Sequence, residues 1–83
     1  MFFSINYFVE KNLCNIELNK KFKIEKILDS SFPIKRRLLE LGFISGREIK
    51  VVGKSLTKQT ILIEIEGYLL SLKCGVANMV IVR

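Results

Sequence analysis

Alternating apolar and polar positions predict a series of short β-strands along this chain. The clearest alternation covers residues 60–66, where Ile61, Ile63 and Ile65 fall on one face of an extended segment. Weaker alternation predicts further strands at residues 22–28, 47–53, 68–72 and 80–82. The alternation fails at the end of the first of these runs, which predicts a bulge or a turn at that point.

Two of these strands are predicted to form a hairpin through a two-residue turn at Glu66 and Gly67. This turn fixes the register, placing Ile65 opposite Tyr68, Ile63 opposite Leu70 and Ile61 opposite Leu72. A slip of one residue would turn Glu64 and Glu66 towards the core, so the apolar pattern specifies this register strongly.

A period of three to four residues predicts one short helix at residues 33–41. Ile34, Leu38 and Leu41 share one face of this helix, and Gly42 follows where a helix often ends in the left-handed conformation. A helix of fewer than three turns is not stable alone in water. We therefore expect its apolar face to pack on the sheet.

The order of these elements predicts a mainly β fold with one short α-helix inserted after the first strand. Five short antiparallel strands with turns between them are typical of a small, strongly curved barrel. The length of 83 residues allows one domain with a thin core, and 49% apolar residues are enough to form it.

Charge and the absence of histidine narrow the range of functions. Fourteen Lys and Arg against eight Asp and Glu give a net charge of +6, which favours anionic partners, although ordinary solvated lysines also explain it. No apolar run is long enough to span a membrane. Histidine, the commonest general base, is absent from the sequence, and no nucleotide-binding motif is present, so we predict that the chain is not an enzyme.

The two cysteines, Cys14 and Cys74, lie far apart in the chain and in no metal-binding spacing. We expect them to be reduced, partly buried thiols, as in a cytosolic protein. Cys74, near the end of the hairpin, could approach Cys14 in space, but no feature of the sequence shows this. Glu64 and Glu66 share a strand face, and we interpret them as solvated surface carboxylates. The sequence predicts no metal ligands and no cofactor.

Residues 37–49, with the sequence RLLELGFISGREI, resemble the helix-and-glycine signature of the FeoA family. Residues 63–73 (IEIEGYLLSLK) are similar to the hairpin of that family, and Ala77 with the final strand is similar to its closing segment. Members of the family usually carry Gly near the first turn, where this chain has Asn19, Lys20 and Lys21. The resemblance implies a five-stranded Src-homology-3-like barrel with a helix after its first strand.

The resemblance covers residues 15–83, which we assign to the FeoA-like barrel domain. Residues 1–14 precede it as an apolar extension of unassigned role. This extension could add a strand or turn to the barrel, dock on a partner, or form a disordered lead-in.

Membership of this family would imply a cytoplasmic accessory or regulatory protein of bacterial ferrous iron uptake. FeoA proteins are partners of the membrane transporter FeoB, which carries a cytoplasmic GTPase region. The resemblance therefore implies binding to FeoB, with Fe(II) handled through that partner, and the ligand spacing gives no support for direct Fe(II) binding.

Basic residues flanking apolar ones indicate where such a partner could bind. An apolar anchor with a charged rim is typical of protein interfaces. Two regions of the chain have this composition, the outer face and end of the helix and the loop before residue 60. The candidate residues are Lys35, Arg36, Leu39, Phe43, Lys54, Leu56 and Lys58. Leu56 has a second interpretation, as a residue that packs its own loop.

The alternative function is that of a basic small-barrel module in a metal-responsive regulator or a nucleic-acid-binding protein. Single-strand binding would require aromatic and basic residues interleaved on a strand face. The central strands carry Ile, Leu and Glu instead, and we therefore expect no nucleic-acid partner.

Overall fold

A computed structural model describes residues 11–28 and 32–83. Within these ranges the chain forms six strands and two helices in the following order: β1 (Lys11–Asn12), β2 (Lys21–Ile27), α1 (Phe32–Glu40), β3 (Glu48–Lys54), β4 (Thr60–Ile65), β5 (Tyr68–Lys73), α2 (Cys74–Ala77) and β6 (Val80–Val82).

The strands form one antiparallel sheet in the order β1-β6-β2-β3-β4-β5. The mainly β fold with a helix after the first long strand is confirmed. The structure adds β1, whose two residues pair with β6, to the five predicted strands. Two residues are too few to show an alternating pattern, which is why the sequence did not reveal this strand.

Residues 11–14 therefore belong with the barrel, although the sequence assigned them to the extension. Leu13 is fully buried in the core, and its N–H donates to the carbonyl of Val80 at 3.3 Å. Residues 1–10 of the predicted extension lie outside the described residues.

The predicted hairpin register is confirmed. Ile61, Ile63 and Ile65 are buried and lie opposite Leu72, Leu70 and Tyr68. The turn is possible because Glu66 and Gly67 both adopt positive φ, at 51° and 83°. The first long strand also has a register shift, but it lies between Ile24 and Lys26, earlier than the end of the run where the sequence predicted a bulge or a turn.

The apolar face of α1 packs on this sheet, as its periodicity predicts. Leu38 is fully buried, and Ile34 and Leu41 are partly buried against the core. In the first turn, Asn19 adopts φ 60°, the left-handed conformation that Asn accepts more readily than most residues.

The prediction of reduced cysteines is wrong in this structure. Cys14 and Cys74 form a disulfide with their Cα atoms 5.6 Å apart. Cys14 follows β1 and Cys74 follows β5, and these are the two edge strands of the sheet. The curvature of the sheet brings its edges together, which local sequence patterns do not reveal.

Candidate partner-binding surface

The end of α1 is fixed by a glycine stop. Gly42 adopts φ 99°, and the N–H of Phe43 reaches back to the carbonyl of Leu38 at 3.1 Å. Two side chains then bind the first two carbonyls after the helix. Arg47 Nη1 donates to Gly42 O at 3.0 Å, and Tyr68 Oη donates to Leu41 O at 2.6 Å.

Arg47 also ties the helix stop to the β4–β5 turn. Its Nη2 lies 3.0 Å from Glu66 Oε2, and its side chain is mostly buried. The sequence did not reveal the bond of Arg47 to the Gly42 carbonyl, because an arginine five residues after a helix-ending glycine carries no specific signal.

We expect Gly42→Ala to destabilise the domain by about 1–2 kcal/mol, because an L-residue is strained at this φ. An added Cβ would also lie 3.0 Å from Arg47 Nη1. Gly75→Ala is the matched control, since Gly75 lies in α2 with no heavy atom within 4 Å of a new Cβ. We expect the control to be stabilising by about 0.5–1 kcal/mol. Urea unfolding measures both changes, and equal effects would contradict this account of the helix stop.

The candidates on and beside α1 divide into exposed and buried residues. Leu39 is 49% exposed, and Arg36 is exposed and pairs with Glu40 at 3.4 Å. Lys35 is half-buried. Phe43 is only 1% exposed, so its assignment as a partner-binding residue is wrong. The hydrogen bond from its N–H to the helix folds it back, and its ring joins the core.

Hydrogen bonds of Ser55 order the interior of the β3–β4 loop (residues 55–59). Ser55 Oγ accepts hydrogen bonds from the N–H groups of Gln59 and Thr60, each at 3.2 Å. The Ser55 carbonyl accepts from the Lys58 N–H at 2.9 Å, and Lys58 adopts φ 61°. Although its composition is polar, the loop has a defined shape.

This loop holds Leu56 fully in solvent. Its relative exposure is 102%, which rules out the interpretation of Leu56 as a loop-packing residue. Lys54 and Lys58 are exposed on either side, and Lys54 Nζ donates to the carbonyl of Cys14 at 3.0 Å. The predicted loop candidates Lys54, Leu56 and Lys58 are thus all exposed, and we call these three residues the Leu56 loop surface.

The outer face of the sheet carries paired charges. Lys50 Nζ lies 3.4 Å from Glu64 Oε1, and Arg47 pairs with Glu66, around an open cleft of about 520 Å³. Both glutamates thus have basic partners on the surface. In residues 11–28 and 32–83, no group of three or more metal-ligating side chains is close enough to hold an ion.

The model of the FeoA domain matches residues 11–83. This chain belongs to the FeoA family. The family consists of small domains associated with iron transport. The match to the family model begins at Lys11, the first residue of β1. No curated protein matches the chain. None of the helices in the described ranges is long and apolar enough to cross a membrane.

Solved structures with the same fold include two FeoA proteins that are 28% identical to this chain. The FeoA-like protein from Clostridium acetobutylicum has a TM-score of 0.80, covering 89% of this chain and 85% of that one. Stenotrophomonas maltophilia FeoA, solved with zinc, has a TM-score of 0.77, and the match covers 88% of this chain and 89% of that one. It is described as a prokaryotic SH3 domain protein and a candidate activating factor of ferrous iron transport.

A manganese-dependent transcriptional repressor, solved with manganese, shares the fold at 16% identity. Its TM-score is 0.81, and the match covers 89% of this chain but 36% of the repressor. This likeness concerns the fold alone.

Proposed function

We propose that this FeoA protein is a non-enzymatic accessory factor of bacterial ferrous iron uptake. It acts in the cytoplasm by binding the cytoplasmic GTPase region of a FeoB-type transporter. The observation that carries the proposal is the Leu56 loop surface on a barrel of the FeoA family. A fully exposed leucine on an ordered loop is a feature that partner binding explains and internal packing does not.

The physical basis of this binding is burial of one side chain with little loss of conformational entropy. Burying a leucine contributes about 1.5–3 kcal/mol. The hydrogen bonds of Ser55 already order the loop, so binding orders fewer groups. The basic neighbours and the net charge of +6 favour encounter with an acidic face.

Binding of this kind would regulate the transporter only by favouring one of its conformations. A partner shifts an equilibrium by the difference between its affinities for the two states. The protein therefore needs no catalytic group, and its effect on transport would come from docking.

The test is a calorimetric titration of the full chain into the soluble GTPase region of the FeoB from the same organism. We expect Leu56→Asp to weaken binding by about 10- to 100-fold, the equivalent of losing the leucine contribution. Gln59→Glu is the matched control, because it adds the same charge to an exposed residue of the same loop and keeps the leucine.

Circular dichroism should show that both variants keep the fold, since neither position is buried. Equal losses of affinity in the two variants would show that the added negative charge weakens binding, and would contradict the role of Leu56 as an anchor. Tight binding of DNA with steep salt dependence, together with no binding to FeoB, would favour the nucleic-acid alternative instead.

A further inference from the structure

The Cys14–Cys74 disulfide closes the barrel at a place where the sheet itself does not. The two cysteines follow β1 and β5, the edge strands, and no hydrogen-bonded ladder joins those strands in the described part of the chain. Their Cα separation of 5.6 Å lies in the normal range for a disulfide. This covalent link therefore connects the two open edges.

The same two residues hold both ends of the β3–β4 loop. The carbonyl of Cys14 accepts a hydrogen bond from Lys54 Nζ at 3.0 Å, just before the loop begins. The N–H of Cys74 donates to the carbonyl of Gln59 at 2.9 Å, where the loop ends. The disulfide thus joins the two supports of the segment that carries Leu56.

A reductant can reach this site. Both cysteines are half-buried, and an open cleft of about 390 Å³ lies beside Cys74. Lys58 and Lys73 line the cleft, and their charges attract an anionic thiolate. Disulfides in a reducing compartment are usually transient or redox-sensing.

We propose that Cys14 and Cys74 form a reversible thiol–disulfide site that controls the order of the β3–β4 loop and so the affinity for the partner. This inference rests on the proposed function for the reducing compartment and for the effect on partner affinity. The oxidised pair holds the loop in its binding shape, and the reduced pair releases one of its supports.

The co-reactant is a protein dithiol of the thioredoxin class. One of its thiolates attacks a sulfur of the Cys14–Cys74 bond, forming a mixed disulfide and releasing the other cysteine as a thiolate. Its second thiol then resolves the mixed disulfide. Two electrons and two protons pass from the dithiol to the cysteine pair, and the co-reactant leaves as a disulfide.

Loop order is measured by ¹⁵N relaxation on the full chain, equilibrated with reduced or oxidised dithiothreitol and checked by thiol labelling. We expect order parameters at Ser55, Leu56 and Lys58 to fall from about 0.85 to below 0.6 on reduction. The order parameter of Ile63, in the middle of β4, should not change. This internal reference distinguishes loosening of the loop from loss of the fold.

The binding titration with the GTPase region of FeoB is then repeated on both forms. We expect about 3- to 10-fold weaker binding by the reduced protein, since a loosened loop must be ordered on docking. The variant with Cys14→Ser and Cys74→Ser should bind like the reduced form under both conditions.

The outcomes separate this inference from the proposed function. Unchanged loop order in the two redox states, or binding that does not depend on redox state, would overturn the inference while FeoB binding stands. Redox-dependent loop order without binding in either state would support the thiol–disulfide control of the loop and overturn the docking function.

Discussion

Reduction of the Cys14–Cys74 disulfide should lower the free energy of unfolding by about 4 kcal/mol. The bond closes a loop of 60 residues, and the chain-entropy model assigns a loss of this size to opening such a loop in the unfolded state. Urea unfolding of the oxidised and the reduced protein measures the difference directly.

The variant with Cys14→Ser and Cys74→Ser provides the control for this prediction. It should show the lower stability in either redox buffer, because it has no bond to reduce. A difference of less than about 1 kcal/mol between the oxidised and reduced wild-type forms would show that other contacts already close the barrel.

Phe43→Ala should destabilise the domain by about 3–5 kcal/mol, the usual cost of removing a buried aromatic ring. Phe43 is 1% exposed and lies directly after the glycine stop, where it joins the core beneath α1. Phe32→Ala is the matched control, because Phe32 is 72% exposed and should change the free energy of unfolding by less than about 0.5 kcal/mol.

The loss expected for Phe43→Ala is a large fraction of the stability of a domain of this size, so a second, milder variant is needed beside it. Phe43→Leu is the milder variant, expected to cost less than Phe43→Ala and to leave FeoB affinity unchanged. Similar losses for the alanine variants at positions 43 and 32 in urea unfolding would contradict the burial of Phe43.

The parts of the fold that depend on neighbours in sequence could be predicted. The hairpin register follows from three isoleucines at spacing two and a Glu–Gly turn, since only one register buries all three. The end of α1 follows from Gly42, because few other residues accept its φ. In both cases the information lies within a few residues.

The features that the sequence did not reveal depend on contacts between distant segments. The disulfide and the pairing of β1 with β6 exist because the sheet curves until its edges meet. The bond from Arg47 to the Gly42 carbonyl requires the residue just before β3 to reach back to the turn that ends α1. No periodicity encodes such contacts.

The candidate site was predictable to the same extent. The loop composition indicated Leu56 with basic neighbours but left open whether the leucine packs its own loop, and its exposure decides this. Phe43 was misassigned because an apolar residue just after the end of a helix can point either into the core or into solvent. The direction depends on the core beneath it, which a linear pattern does not show.

The most direct measurement is an NMR titration of the ¹⁵N-labelled, oxidised full chain with the unlabelled GTPase region of FeoB from the same organism. The proposed docking predicts that shifts and line broadening concentrate at residues 54–59. Uniformly unchanged spectra at saturating partner, or changes confined to the outer face around Leu69 on β5, would contradict it.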